Sequence, residues 1–194
     1  MIVSKFEDLD LDKIYTYADY LLWKFEERLE LIKGKVFRMS PAPSRTHQKI
    51  STNFNRYLST FFYDKTCEFY SAPFDVRLAA KDKSDKEITT VVQPDLCVIC
   101  NLDKLDERGC QGAPDFIIEI ASPGNSKKEL RTKFKLYEEN GVKEYWVVNS
   151  AEKNIQIFFL ENGIFVFKGY FFDSDDITPL LFSDLKIKLE DIFK

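Results

Sequence analysis

Hydrophobic and polar positions change their period along the chain, and these changes predict alternating helices and strands. Residues 16–30 carry apolar side chains at helical spacing and predict a first amphipathic helix. Residues 29–32 and 35–39 predict two short strands around a Lys-Gly turn. A second helix is predicted where apolar residues recur at helical spacing, at Ile50, Phe54, Leu58 and Phe61.

The rest of the chain predicts further strands with one helix among them. The strands are predicted over residues 67–72, 74–80, 91–100, 114–122, 143–150 and the hairpin 154–169. The helix spans residues 122–141, with Ser and Asn capping candidates in front and Gly141 at its end. This strand–helix–strand order predicts an α/β fold on one mixed sheet, and the 194 residues suit a single domain.

The predicted strand over residues 91–100 has an unusual centre. Pro94 cannot donate to a sheet ladder, and an unpaired buried carboxylate at Asp95 would be costly. The predicted strand over residues 114–122 repeats the problem, because Glu119 stands between isoleucines. Two misplaced acids in successive strands suggest one divalent metal, with oxygen ligands at about 2.0–2.1 Å for Mg²⁺. A structural ion pair with a buried lysine or arginine is the alternative.

Two other features near these acids have simpler interpretations. Asp115 shares a strand face with Glu119, but four residues along a strand span ~13 Å, too far to share one ion. We therefore expect Asp115 to be a solvated acid at the strand entry. The helix start carries Lys127, Lys128 and Arg131, which form either a solvated face or a surface that contacts phosphates.

Lys133 is the candidate cation for the acids. In the predicted helix, Leu130, Phe134 and Tyr137 form the inward stripe, and Lys133 lies beside it. Lys135 lies well round toward solvent. Lys133 is therefore expected to lean over the sheet toward Glu119. A lysine beside two metal-binding acids suits phosphoryl chemistry, because it can orient a water or neutralise phosphate charge.

Composition and charge narrow the class of protein. The chain is 44% hydrophobic and 31% charged, as in a globular protein. Its net charge of -4 argues against a surface that is basic overall, although it allows a local basic patch. No signal peptide or membrane span is evident, so a cytoplasmic protein with reduced thiols is expected. Cys97 and Cys100 resemble half a zinc site, but residues three apart on a strand point to opposite faces, which favours core cysteines.

An ordered series of motifs resembles one known family. The motifs are "LELIKGKVFRMSPAPSRTHQKI", "QPDLCVI", "GAPDFIIEIASP" and "KFKLYEENGVKEYWVVN". Together they resemble a bacterial family of restriction-endonuclease-like proteins, long catalogued as a domain of unknown function, in the PD-(D/E)XK nuclease superfamily. The resemblance runs from about residue 17 to the C-terminus. It implies a mixed central β-sheet flanked by α-helices, with a metal site where two central strands diverge.

The resemblance also implies roles for individual residues. The signature proline and acid fall on Pro94 and Asp95, and the second acid falls on Glu119. The usual lysine, two residues later, falls on Ala121, which is a departure. The matching lysine in this family falls on Lys133, the residue that helical spacing also selects. Cleavage with Mg²⁺, or Mn²⁺ in its place, would leave a 5′-phosphate and a 3′-hydroxyl.

Two upstream residues match family positions less decisively. Glu30 falls on an acid that can complete the metal shell, although a charged strand edge is an equal alternative. His47, the single histidine, lies by helical spacing on the Ile50 face. A substrate contact there is one interpretation, as it is for Lys127 and Arg131, and a packed or capping histidine is the other.

Two functions follow from these residues. The first is a Mg²⁺-dependent nuclease acting on nucleic acid, most simply DNA, through Asp95, Glu119, Lys133 and Glu30. The second is a non-catalytic binding or regulatory protein on a nuclease-like fold, which the acidic composition and the missing lysine at Ala121 favour. The Phe-rich segment over residues 155–172 has more apolar side chains than one small core is expected to bury, which predicts a homodimer, with burial inside the monomer as the default alternative. Nucleases that cut both strands often act as symmetric pairs.

Overall fold

The computed structural model describes residues 3–39, 42–121 and 127–194, with the side chains of residues 127 and 128 outside that description. Its helices are α1 Tyr17–Tyr20, α2 Arg45–Phe62, α3 Lys127–Glu139 and α4 Leu189–Phe193, with 3-10 turns at Phe6–Asp8 and Leu102–Lys104. The first eight strands are β1 Leu29–Ile32, β2 Lys35–Arg38, β3 Glu68–Ser71, β4 Val76–Arg77, β5 Val91–Val92, β6 Leu96–Ile99, β7 Leu105–Asp106 and β8 Gly109–Gln111. The other six are β9 Phe116–Ala121, β10 Glu144–Asn149, β11 Asn154–Glu161, β12 Ile164–Phe172, β13 Asp176–Ile177 and β14 Ile187–Lys188.

The main sheet is mixed, as the strand–helix–strand pattern predicts. Its six strands are ordered β12-β11-β10-β9-β6-β3. β9 and β10 run parallel, with Glu119 opposite Val147, while β6 pairs antiparallel with β9. Parallel neighbours need a crossover, and α3 supplies it between β9 and β10. The predicted hairpin forms β11 and β12.

A second sheet corrects the prediction of one sheet. Its six strands are ordered β2-β1-β5-β4-β8-β7, and a two-stranded pair of β13 and β14 stands apart from both sheets. Several of these strands have only two or three residues, so no alternation of apolar and polar positions could mark them. The second sheet matters for the site because β1 carries Glu30.

The predicted strand over residues 91–100 is in fact two strands. β5 belongs to the second sheet and β6 to the main sheet, and the chain crosses between them at Gln93, Pro94 and Asp95. Pro94 therefore lies outside the named strands, where a missing backbone donor has no ladder partner to lose. The same crossing places Asp95 at the entrance of β6 rather than in its middle.

The prediction of a helix over residues 16–30 was wrong beyond its first turn. A capping box between Thr16 and Asp19 starts α1, but the helix ends at Tyr20. The following aromatic residues pack on one another instead, with Trp23 against Tyr20 at 5.5 Å and against Phe25 at 5.8 Å between ring centroids. Burial of these rings in a local cluster outweighs the helical spacing.

Two helices cover opposite faces of the main sheet. α2 buries Ile50, Phe54 and Leu58 against a face that includes Ile118 and Ile120. α3 covers the other face, where Leu136 and Tyr137 pack in the cluster that contains Ile117. The residues expected to cap α3, from Ser122 to Ser126, lie outside the described ranges. Along those ranges, no helix has the length and apolar content that crossing a membrane requires.

The cysteines and Asp115 correct two expectations. A disulfide joins Cys67 to Cys100, so the prediction of reduced thiols was wrong for this pair, while Cys97 and Cys110 are free and buried. The bridge leaves Cys97 as a core residue without a zinc partner at Cys100. A cytoplasmic location stays a prediction, and disulfides are uncommon in that compartment. Asp115 is buried rather than solvated, because it accepts from the Cys100 backbone N–H and pairs with Lys143.

Candidate active site

Glu119 projects from the centre of β9 toward α3. Its strand neighbours Ile118 and Ile120 point to the opposite face, toward α2, as strand alternation requires. The Glu119 Oε1 atom accepts hydrogen bonds from the Lys133 Nζ at 3.0 Å and from the Tyr137 hydroxyl at 2.6 Å. Lys133 and Tyr137 are four residues apart on α3, so they share one face of the helix. The buried carboxylate is therefore held by two donors from a single helix.

Lys133 also connects the two sheets. Its Nζ lies 3.0 Å from Oε1 of Glu30 on β1, as well as 3.0 Å from Oε1 of Glu119. All three side chains are buried. Glu30 accepts a further hydrogen bond from the Gln93 backbone N–H at 3.0 Å. The alternative of a charged strand edge is therefore wrong for Glu30, since this carboxylate lies inside the protein and faces the lysine.

Asp95 joins the same cluster from the crossing between the sheets. Its Oδ2 accepts the Ile120 backbone N–H at 2.8 Å and lies 3.3 Å from the His47 Nε2. Because Ile120 directly follows Glu119, the two acids lie side by side across β6 and β9. The Asp95 side chain is 22% exposed, whereas that of Glu119 is 9% exposed. Asp95 is thus the carboxylate that solvent or substrate can reach.

His47 lies in the first turn of α2, next to Asp95. Ser44 supplies the helix cap by accepting the His47 backbone N–H, so the imidazole itself is not the cap. Burial alone would lower the pKa of His47. The hydrogen bond and charge of Asp95, with the charge of Glu119, outweigh burial and raise this pKa above its ordinary value. The sequence left a packed histidine and a substrate contact open, and the structure places the ring against a candidate ligand.

Electrostatics in the cluster reflect an excess of acids. Burial raises the pKa of Glu119 to about 7, and the charges of Asp95 and Glu30 act in the same direction, against the lowering effect of Lys133 and Tyr137. Burial would lower the pKa of Lys133, but the carboxylates of Glu119 and Glu30 hold it well above its ordinary value. The lysine is therefore charged, and its one positive charge is shared between the carboxyl groups of Glu30 and Glu119.

Of the helix-start cations, Arg131 is the one whose side chain the structure describes, and no ion pair joins it to this cluster there. Arg131 is exposed, and the side chains of Lys127 and Lys128 lie outside the described residues. Lys135 is exposed, as its helical position predicts. Ala121, where the superfamily has its usual lysine, ends β9 two residues past Glu119.

Sequence reasoning missed two polar residues that support the cluster. Tyr137 was assigned to the apolar stripe, although a buried hydroxyl needs a partner and finds it in Glu119. Gln93 holds Glu30 through its backbone and bonds Asp75 and Arg28 through its side chain, at 2.9 and 2.7 Å. Its place directly before Pro94 and Asp95 is the only signal the sequence offers for that role.

The donor set suits a divalent cation only in part. Across the described residues, no three His, Cys, Asp or Glu side chains are arranged to hold one metal ion. The ammonium of Lys133 lies between Glu30 and Glu119 and occupies one oxygen of each. Asp95 and Glu119 nevertheless provide neighbouring carboxylate oxygens, the ligands that Mg²⁺ prefers, in a cluster that carries more negative than positive charge. These two residues fit the ion chemically, and Glu30 is better placed to hold Lys133.

Comparison with known proteins shows a related fold and a family for this chain. The crystal structure of a putative nuclease belonging to DUF820 from Anabaena variabilis matches with a TM-score of 0.70 over 92% of this chain and 97% of that one. Its sequence identity is 17%, so the match shows a shared fold. No curated protein matches the chain. The family model Uma2, described as putative restriction endonuclease, matches residues 17–190, which confirms the resemblance seen in the motifs. The chain belongs to the Uma2 family of putative restriction endonucleases.

Proposed function

We propose that the protein is a divalent-metal-dependent nuclease that hydrolyses phosphodiester bonds, with DNA as its substrate. Asp95 and Glu119 are the proposed metal ligands and Lys133 the proposed catalytic cation. The observation that carries this proposal is the pairing of Lys133 with both Glu30 and Glu119, with Asp95 beside Glu119 at the Ile120 backbone N–H. Family membership supports the same class of reaction.

The free-energy cost of burying these charged side chains suggests that the cluster serves a function rather than stability. Removing a carboxylate from water costs several kcal/mol, and a buried ion pair often stabilises a protein less than apolar side chains of the same volume would. The pKa of Glu119 is raised to about 7, first by burial and then by the charges of Asp95 and Glu30, although Lys133 is paired with it. Strongly shifted pKa values beside a partly exposed acid such as Asp95 are typical of reactive sites.

Each residue has a distinct proposed role. Asp95 and Glu119 would hold a Mg²⁺ or Mn²⁺ ion, whose contribution would be to polarise the phosphate and lower the pKa of a water. Lys133 would position that water or neutralise charge on the scissile phosphate. Glu30 and Tyr137 would hold Lys133 and Glu119 in place, and His47 would orient Asp95. These positioning contacts are hydrogen bonds between 2.6 and 3.3 Å.

A non-catalytic protein on the same fold is the second candidate. The observation that favours it is the mutual pairing of Glu30, Lys133 and Glu119, which satisfies three buried charges without an added ion. In that case the cluster would be structural, and the protein would bind a partner or nucleic acid without cutting it.

Metal binding and cleavage together separate the two candidates. Isothermal titration calorimetry with Mn²⁺ is expected to show binding by the parent protein and its loss in Asp95→Asn and Glu119→Gln. Supercoiled, linear and single-stranded DNA are expected to be cut by the parent with Mg²⁺ or Mn²⁺ and left intact by both variants. Unchanged cleavage in both variants would rule out this site, and absent metal binding with absent cleavage would favour the non-catalytic protein.

We propose a homodimer that forms through β12. This strand is an edge of the main sheet, and in the described residues nothing pairs with its outer side. It exposes Ile164, Val166, Phe167, Tyr170 and Phe172. A second copy would satisfy the open backbone edge and cover these side chains. Light scattering after size-exclusion chromatography is expected to give twice the chain mass for the parent and the monomer mass for Phe167→Glu; a monomeric parent at high concentration would overturn the dimer.

A further inference from the structure

A basic cavity lies at the N-terminal end of α2. Its volume is about 180 Å³, and it opens between the first turns of α2 and the turn that joins β10 to β11. The polar and charged residues that line it are Arg45, Thr46, Lys49, Ser150, Lys153 and Lys194. None of its described lining residues has a carboxylate side chain. This is a local concentration of positive charge on a chain whose net charge is -4.

Two of these cations are free to bind an anion. Arg45 and Lys49 are four residues apart and therefore lie on the same face of α2, where both are exposed. Within the described ranges, neither takes part in an ion pair. Lys153 lies 4.0 Å from Asp173, with both side chains more than half exposed, so this pair is weak. Lys194 is held at 2.6 Å by Asp191.

The cavity adjoins the acidic cluster at the same end of the main sheet. His47, between Arg45 and Lys49 in the sequence, reaches Asp95. Ser150 donates its hydroxyl hydrogen to the carbonyl of Ala121, two residues past Glu119, at 3.0 Å. Asp95 precedes β6 and Ser150 follows β10, which are two strand spacings apart across the sheet, or about 10 Å. Neighbouring phosphates on one strand lie farther apart than their ~3.4 Å of axial rise, so this distance corresponds to at most about three nucleotides.

We infer that this cavity binds a backbone phosphate of the nucleic acid, a few nucleotides from the phosphate that meets Asp95. Guanidinium and ammonium groups from Arg45 and Lys49 bind phosphate oxygens by charge-assisted hydrogen bonds. Thr46 and Ser150 add hydroxyl donors. The N-terminal end of an 18-residue helix adds a favourable dipole. The inference rests on the proposed nuclease function, and it assigns the phosphate contact to α2 rather than to the helix-start cations of α3.

Binding without metal tests this subsite separately from cleavage. Fluorescence anisotropy with a labelled DNA duplex, in EDTA and over about 50 to 200 mM salt, measures affinity and its salt dependence. Arg45→Gln and Lys49→Gln are each expected to weaken binding several-fold and to reduce the log–log salt slope by about 0.9. Lys86→Gln is the matched control, since it removes the same charge from an exposed lysine that has no ion pair in the described residues. Comparing the affinity for an RNA duplex of the same sequence shows whether binding at the subsite depends on the sugar.

Cleavage kinetics complete the test. The α2 variants are expected to raise KM for DNA while kcat stays within about twofold, because the lost contact lies away from the reacting atoms. Equal affinity and slope for Lys49→Gln, Arg45→Gln and Lys86→Gln would overturn the subsite while leaving the nuclease proposal standing. Normal phosphate binding with no cleavage by the parent would keep the subsite and remove the nuclease. A parent that binds no nucleic acid would overturn both.

Discussion

The Lys133 Nζ lies 3.0 Å from the Glu119 Oε1, fourteen residues away in sequence and across the interface between α3 and β9. The same nitrogen lies 3.0 Å from Glu30 on the second sheet. A lysine on the strand at position 121 would approach the acids from the sheet, whereas Lys133 approaches them from the covering helix. The cation beside the acids is thus supplied by α3, and position 121 at the end of β9 is an alanine.

Removing this lysine is expected to destabilise the protein. Lys133→Met leaves Glu30 and Glu119 buried without their cation, which should lower the free energy of unfolding by about 3–5 kcal/mol. Lys135→Met is the control, since this exposed side chain on the same helix should change stability by less than about 0.5 kcal/mol. Urea denaturation measures both, and equal stabilities would show that the buried pairing contributes nothing.

Tyr137 and Tyr145 form a matched pair of buried tyrosines. The Tyr137 hydroxyl donates to Glu119 at 2.6 Å, whereas the Tyr145 hydroxyl is buried with no partner among the described residues. Tyr137→Phe is expected to lower the free energy of unfolding by about 1.5–3 kcal/mol, the contribution of a hydrogen bond to a charged group. Tyr145→Phe is expected to be neutral or stabilising. Thermal denaturation of both variants checks this difference, and a reversed order would contradict the assigned contacts.

Glu30 tests the difference between a metal ligand and a positioning residue. Because its Oε1 is taken up by Lys133 and the Gln93 backbone, Glu30→Gln is expected to change Mn²⁺ affinity little and to lower kcat by at least tenfold. Glu119→Gln is expected to lower both. Calorimetry and single-turnover cleavage measure the two quantities. A loss of Mn²⁺ binding in Glu30→Gln equal to that in Glu119→Gln would make Glu30 a ligand.

The buried carboxyl group of Glu144, which lies away from the site, is expected to make the stability of the protein depend on pH. Burial raises the pKa of this carboxyl group. Hydrogen bonds from the backbone N–H groups of Leu181 and Leu180 and from the indole N–H of Trp146 lower it by less. The contacts of its carboxylate in the described residues are these three uncharged donors. The folded state therefore binds the proton more tightly than the unfolded state, whose pKa is about 4.3.

Stability should fall as pH rises above that unfolded value, and level off above the pKa of the folded protein. Glu144→Gln is expected to flatten this part of the profile, although the amide loses one acceptor and lowers stability overall. Exposed Glu107→Gln is the control and should keep the slope of the parent. Urea denaturation from about pH 4 to pH 7 gives the profiles. A parent slope retained in Glu144→Gln would contradict the assignment.

Sequence patterns predicted the parts of the fold that are long and amphipathic. α2, α3, β9, β10 and the hairpin of β11 and β12 bury one regular face or run as apolar strands, so period and length reveal them. The second sheet consists largely of strands too short to show a period. Its partners are chosen by tertiary contacts, and the same contacts end α1 after one turn.

The candidate site was predictable where a residue broke its local pattern. Glu119 among isoleucines and Asp95 after Pro94 are conspicuous, and helical geometry selects Lys133 over Lys135. The burial of Glu30 and the support from Gln93 depend on how the second sheet packs against the first, which no local pattern encodes. Tyr137 fits an apolar stripe because its ring packs there, while its hydroxyl donates a hydrogen bond to Glu119.

Single-turnover DNA cleavage with Mg²⁺ or Mn²⁺, comparing the parent with Lys133→Gln and Lys135→Gln, tests the central claim most directly. The two variants remove the same charge from positions two residues apart on α3, and circular dichroism verifies that each is folded. The account predicts that Lys135→Gln cuts at the rate of the parent while Lys133→Gln is slowed by at least a hundredfold. Equal cleavage by folded Lys133→Gln and Lys135→Gln would contradict it.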